Sequence, residues 1–486
     1  GALGAASYDR AIERMMLQLK SFGYNCIRCS HNPYSESFAR IADRVGMLVV
    51  NELTDKWSDN DYWGGRQPFT HLWHKLITEW IKRDRNRPSI ILWSLGNELQ
   101  IREGWAGFEG TNDWGITTYN IFNQLVKRWD HTRLTTVAMF PARAGAITRH
   151  DKEFNDYLVP PELACATEVA SFNYQSDKYD AYLKYQPDLI LFQSEAETSK
   201  LLQPYYNMDR KRTVGMAYWG SAEYWGESNK WPKKGWNYSF FDHTMRPYPQ
   251  AYLIKSAFMP EIPEVHIGVV DAAGAESVSW NDVTVGRMAL NECWNHIPGS
   301  RQSLFTYTNA HSVELLVNGQ SMGVQQNDTT QANLRNMIYW KDVPYGNGGS
   351  VVAIARDKSG KEVARHRIET AGKAVALQIE TETPADWKAD GMDLQYINVT
   401  AIDKKGRPVW DYNEPLTLQM EGAARLVALD NGDHYTDELF QGITSKRMYQ
   451  GRMQIILRST KTPSNVKLKI SSADLKEKLS LKTFLK

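Results

Sequence analysis

Arg83-Asp84-Arg85-Asn86-Arg87-Pro88-Ser89-Ile90-Ile91-Leu92-Trp93-Ser94-Leu95-Gly96-Asn97-Glu98 reads as the basic end of a helix, a proline stop, an apolar strand and, just past the strand, a carboxylate. Basic residues followed by a proline mark a helix end. A short run that is apolar throughout suits a strand covered on both faces, as in a parallel sheet. In a barrel of such strands the chemistry sits at their C-terminal ends, where Glu98 falls.

Outward from this stretch the alternation repeats. Ile12, Met15, Met16 and Leu19 give the i, i+3, i+4, i+7 stripe of an amphipathic helix; Trp73, Leu76, Ile77 and Trp80 repeat it, as do Phe122, Leu125, Val126 and Trp129. Short apolar runs at 26–29, 47–50, 90–94, 135–139, 169–172, 189–192 and 216–219 predict strands. Helices alternating with such strands predict a (β/α)8 TIM barrel of the α/β class over residues 1–262. Its strand ends are polar: Ser30-His31-Asn32, Asn51-Glu52, Gly96-Asn97-Glu98, Asn173-Tyr174, Ser194-Glu195 and, after the last strand, Glu223-Tyr224.

The opening Gly1-Ala2-Leu3-Gly4-Ala5-Ala6 runs straight into the first helix, so the barrel is expected without its first strand. Either the polypeptide continues upstream or a separate segment supplies that strand, and the open strand edges invite association, a homo-oligomer included. Past Pro260 and Pro263 the pattern becomes all-β. Val313, Leu315 and Val317 alternate before Asn318-Gly319, a strong hairpin signal, and Ile397, Val399 and Ala401 alternate before Lys404-Lys405-Gly406. Two immunoglobulin-like β-sandwiches are expected, at 263–371 and 372–486, joined near Thr370-Ala371-Gly372-Lys373.

Composition narrows the function. With 57 basic and 56 acidic residues and no basic block, the chain lacks the footprint of a nucleic-acid binder. No apolar run approaches a membrane span. Four cysteines make no disulfide framework, and Cys26 and Cys29, three apart on a strand, read as packing residues. The compartment is not legible; an upstream signal would favour a periplasmic or secreted bacterial protein.

The chemistry points to paired carboxylates. Glu98, beside Trp93, is suited to give a proton to a leaving oxygen. Leu189-Ile190-Leu191-Phe192-Gln193-Ser194-Glu195 supplies a second carboxylate at another strand end, and Glu197 is its rival. Two such groups ~5–5.5 Å apart cleave a glycosidic bond by double displacement, with retention of configuration. This chemistry needs no cofactor and no metal. A metal-dependent barrel hydrolase would gather histidines at several strand ends, and His31 stands alone there.

At these positions the chain resembles glycoside hydrolase family 2. Asn25-Cys26-Ile27-Arg28-Cys29-Ser30-His31-Asn32-Pro33 resembles that family's N-x-I-R-x-S-H-x-P signature, and the stretch from Asp43 to Glu52 resembles its D-x-x-G-(hydrophobic)-x-E run. Trp93-Ser94-Leu95-Gly96-Asn97-Glu98 is similar to its acid/base motif, and the stretch from Trp219 to Glu227 to the run after its last strand. The segments 313–319 and 390–394 resemble its immunoglobulin-like modules, and the resemblance implies N-terminal domains upstream of the barrel, a jelly-roll sugar-binding-like one and an immunoglobulin-like one. The resemblance implies Glu98 as acid/base and Glu195 as nucleophile, with Asn97 on the hydroxyl next to the anomeric carbon. Tyr174, after Asn173, would orient Glu195; Arg28 and His31 would floor the subsite, and Trp219 would lie under the sugar ring. Glu223 stands where the family often has aspartate, so its contact to the sugar is expected to differ. The implied activity is a retaining exo-β-glycosidase taking terminal β-linked sugars from oligosaccharides or polysaccharide-derived glycosides. β-Galactosides come first and β-glucuronides second. An inactive carbohydrate-binding barrel is the non-enzymatic alternative. Trp63, Trp105 and Trp114 are cleft candidates by type alone.

Overall fold

The structure, a computed structural model, describes residues 1–5, 8–57, 69–101, 104–105, 113–140, 159–228, 230–271, 274–280, 283–382 and 386–484. Trp63 and the side chain of Trp105 lie outside the described residues, and Trp114 is exposed. The chain divides into two compact units. One comprises 19–219 with 277–286, the other 1–18, 220–276 and 287–486.

The first unit is built on a seven-stranded sheet, parallel throughout, with strands in chain order. They are β1 (Cys26–Arg28), β2 (Leu48–Glu52), β3 (Ile90–Asn97), β4 (Leu134–Met139), β5 (Val169–Asn173), β6 (Leu191–Ala196) and β7 (Thr213–Tyr218). β1 and β7 approach each other without pairing, which leaves a nearly closed barrel with two edge strands. Val50, Leu92, Val169 and Phe192, from four different strands, form an apolar cluster in this sheet.

Along the chain helices alternate with these strands: α1 (Asp9–Ser21), α2 (Glu36–Val45), α3 (Phe69–Asp84), α4 (Ile116–Trp129), α5 (Glu162–Ala166), α6 (Tyr179–Tyr185), α7 (Gln203–Tyr206) and α8 (Pro249–Phe258), of which α8 and most of α1 belong to the second unit. Helix α2 shows how locally its ends are written. The Ser35 hydroxyl accepts from the Phe38 N–H, and Gly46, at φ 69°, closes the C-terminus by donating to the Ala42 carbonyl. In α3 the buried face takes in Ile77, Trp80 and Ile81 and leaves Leu76 exposed, so the stripe is turned slightly from the expected one. Phe122 of α4 packs among Trp57, Phe69 and Trp73. No helix among the described residues is long and apolar enough to cross a membrane.

The second unit holds two β-sandwiches. In the first, one four-stranded sheet contains Val265–Val270, Leu290–Asn291, Arg301–Thr308 and Met337–Pro344, and the other Ser312–Val317, Gln320–Gln326, Ser350–Arg356 and Glu362–Glu369. Both supply one core around Trp294, Leu304, Leu315, Trp340 and Ala353. The Asn318-Gly319 turn has φ of 51° and 82°, the left-handed pair that a tight hairpin demands. The second sandwich pairs two further four-stranded sheets over 374–482 around Trp387, Ile397, Leu416, Leu457 and Leu468.

Candidate active site

Glu98 follows β3 directly. Its N–H donates to the Ala138 carbonyl at 2.7 Å, which fastens it to the end of β4. Gly96 makes the approach feasible: the Trp57 indole crosses the strand there and donates to the Leu95 carbonyl at 2.8 Å. A Cβ at 96 would sit 2.7 Å from that indole nitrogen. Tyr174 follows β5 in the same way, donating from its backbone to the Glu195 carbonyl at 2.7 Å. Glu98 has φ 45° and Tyr174 φ 59°. Such strain in non-glycine residues costs of order 1–3 kcal/mol and gathers at functional sites.

One hydrogen-bonded lattice joins the two carboxylates. The Arg28 Nη1 donates to Glu195 Oε1 at 2.8 Å, and its Nη2 donates to Asn97 Oδ1 at 2.9 Å. The same Asn97 oxygen accepts from Asn173 Nδ2 at 3.0 Å, and Asn173 Nδ2 also donates to Glu98 Oε1 at 3.0 Å. The Asn173 oxygen accepts from the Ser194 hydroxyl at 2.7 Å. Every hydrogen-bonding atom of that amide is therefore engaged, and Asn173 is fully buried. It reaches a ligand only through its neighbours. Asn97 Nδ2 donates to Asp55 at 3.1 Å and faces His31 Nε2 at 3.3 Å. His31 stacks on Trp219 with centroids 5.2 Å apart, and both rings keep some exposed surface.

Behind the lattice sits Glu52, with no exposed surface. It accepts from Arg28 Nε at 3.0 Å, Arg28 Nη2 at 2.7 Å and the Ser94 hydroxyl at 2.6 Å, and lies 2.6 Å from His31 Nδ1. Burial alone would push its carboxyl up, but Arg28 and His31 outweigh burial and hold it below the ordinary range. Burial opposes charge on His31, and Glu52 more than compensates, raising it. At Glu195 burial prevails: with the Glu98 charge it raises the carboxyl, against Arg28, His31 and a hydrogen bond from the Tyr174 hydroxyl. Arg28 and Tyr174 favour the anion at Glu195, whereas Glu98 receives a neutral amide.

The structure thus brings together Glu98, Glu195, Arg28, His31, Asn97, Asn173, Tyr174 and Trp219. Glu197 stands apart from them. Strand β6 ends at Ala196, and Glu197 turns to Lys200, with Nζ 2.8 Å from its Oε1. Glu52, Ser94 and Asp55 enter the network without having been singled out. Glu52 was visible as the last residue of a strand-end signature, but nothing in the sequence says that it faces Arg28.

Glu223 belongs to the other unit and makes its own cluster. Its Oε1 accepts from the Tyr248 hydroxyl at 2.8 Å and Arg287 at 3.1 Å, and its Oε2 lies 3.2 Å from both His243 Nδ1 and His434 Nδ1. His243 Nε2 meets Asp430 at 2.9 Å. Burial works against these charges, yet the histidine bonds hold Glu223 at about 2 and the two carboxylates raise His243 to about 10. A histidine set between two ionised carboxylates carries protons on both nitrogens and has no lone pair left for a metal. A second group, His266, Glu292 and His366, is also close enough to hold an ion. Its two rings stack at 4.0 Å and 24°, and Ile267 N–H donates to His366 Nδ1 at 3.0 Å. Near-parallel rings cannot both direct an in-plane lone pair at one ion, so the donor set fits a metal poorly.

Residues 4–184 match the profile described as glycosyl hydrolases family 2, TIM barrel domain, and 377–479 that of glycoside hydrolase family 2 C-terminal domain 5; 299–364 match a domain of unknown function. A solved glycosyl hydrolase family 2 member from Bacteroides cellulosilyticus is 28% identical and superposes over 99% of this chain with a TM-score of 0.81. The chain belongs to glycoside hydrolase family 2. Within the family it is 26% identical, over 98% of its length, to a β-galactosidase of Bacteroides ovatus. It is 25% identical, over 95%, to a putative β-glucuronidase of Formosa agariphila. The chain spans 59% of the first of these relatives, 45% of the second and 60% of the solved structure.

Proposed function

We propose that this family 2 chain carries the catalytic centre of a retaining exo-β-glycosidase, with Glu195 as nucleophile and Glu98 as acid and base. The observation behind this reading is the lattice that ties both carboxylates, on separate strand ends, to Arg28, Asn97 and Asn173. A Glu195 oxygen attacks the anomeric carbon while the bond to the leaving oxygen breaks, and that oxygen takes the proton of Glu98. The resulting glycosyl ester is opened by water, whose proton returns to Glu98, so two inversions give net retention. Asn173, being fully buried, acts as a positioning residue, while Asn97, His31 and half-buried Trp219 face the sugar.

A β-galactoside is the first substrate and a β-glucuronide the second, in line with the activities named for the two relatives. A panel of aryl β-glycosides with product anomers followed by NMR tests this. The expectation is kcat/KM at least about tenfold higher on the β-galactoside, with the β-anomer released first. Preference for the glucuronide would reassign the sugar, and binding without turnover would leave a carbohydrate-binding barrel.

A further inference from the structure

We propose that Glu52 is a positioning residue that tunes the reactivity of Glu195 by sharing the Arg28 guanidinium with it. The inference rests on the reading of Glu195 as nucleophile. A guanidinium is a rigid planar fork. Glu52 accepts from Nε and Nη2 along one edge, at 3.0 and 2.7 Å, which leaves Nη1 to reach Glu195 at 2.8 Å. The orientation of Glu52 thus decides where Nη1 points. Ser94 and His31 in turn fix Glu52.

The second consequence is electrostatic. The side chains of Arg28, Glu52 and Glu195 are 4%, 0% and 4% exposed, so water screens none of them. One permanent cation serves two anions, and the charge of Glu52 offsets much of the pull of Arg28 on Glu195. Without Glu52 the nucleophile would be held as a tighter, less reactive ion pair. The other groups facing Glu195 are His31 (Nε2 at 3.9 Å), Glu98 past β3 and Tyr174 past β5. Those around Glu52 are Arg28, His31, Ser94, Cys29 and Tyr34, with Asp55 and its partner Lys56 beyond His31. None of these bridges the two carboxylates as closely as Arg28 does.

Glu52→Gln keeps the shape and the acceptor for Arg28 and Ser94 but removes the charge. With more of the Arg28 charge bearing on Glu195, the anion is favoured and activity persists to lower pH. The acid limb of the kcat/KM profile on an activated aryl glycoside moves down by about one pH unit. kcat falls roughly tenfold, because a more tightly neutralised carboxylate attacks more slowly. Glu52→Asp, which restores charge, returns the limb to its wild-type place. A folded Glu52→Gln protein whose limb stays put, or moves up, overturns the proposal and leaves Glu52 a structural anchor. Should Glu52→Gln not fold, Arg28→Lys decides: a point charge cannot span both carboxylates, so the limb moves up, and an unmoved limb contradicts the sharing. If instead the nucleophile assignment is at fault, Glu195→Gln retains turnover whatever Glu52 does.

Discussion

Glu98 and Glu195 differ in their company more than in their burial. Glu195 has Arg28 at 2.8 Å and the Tyr174 hydroxyl, while Glu98 has the amide of Asn173. The division predicts what each does when removed. An acid matters only when the departing oxygen is basic, and acid catalysis contributes about 10²–10⁴-fold. Glu98→Ala therefore loses about that factor on a glycoside with a poor leaving group and under about tenfold in the first step on an activated aryl glycoside. Equal losses on both, measured by pre-steady-state release of the aryl group, would remove Glu98 from the acid role. At this scale the sequence was legible where strand ends carry chemistry: eight of its nine named residues lie in one network. It was not legible where a choice depends on a strand's last residue. Glu195 and Glu197 look equivalent by alternation, and only the end of β6 at Ala196 sends Glu197 to Lys200.

Among elements, the seven apolar runs became the seven barrel strands with boundaries shifted by up to four residues, because an uninterrupted apolar run has few other places to go. Helices α5, α6 and α7, of 5, 7 and 4 residues, were missed, since so few turns cannot display a stripe. Glu223 was read as a sugar contact, and its surroundings instead link the loop after Gly220 to the strand Ala424–Asp430 within the second unit. This cluster makes a stability prediction. His243, raised to about 10, stabilises in full below its ordinary 6.5 and loses that contribution as pH rises through about 10. Glu223, held at about 2, stabilises above its ordinary 4.5 and loses its share as pH falls through about 2. Stability from the pair is greatest between those ordinary values. Glu223→Ala takes one of its two carboxylates from His243, which keeps Asp430, and leaves the half-buried Arg287 without its carboxylate, at a cost of ~1–3 kcal/mol. Chemical denaturation from pH 5 to 10 checks this: the loss should shrink towards pH 10, and a pH-independent loss under ~1 kcal/mol would show the cluster to be incidental.

For the whole molecule, composition excluded more than it assigned, and the order of motifs along the chain carried the family. What stayed closed to the sequence was the lattice, since Arg28, Asn97, Asn173 and Glu195 come from four strands and meet only when the sheet curls. The sugar remains a matter of loops, and the chain spans 59% of the β-galactosidase relative. The proposed reaction stands or falls with Glu195 as nucleophile. Its most direct test is to incubate the protein with an activated aryl β-galactoside bearing fluorine in place of the hydroxyl beside the anomeric carbon, which slows release of the glycosyl ester. Peptide mapping then locates the label. A single fluoroglycosyl group is expected on Glu195, lost in Glu195→Gln; a label on Glu197, or full turnover by Glu195→Gln, would refute the assignment.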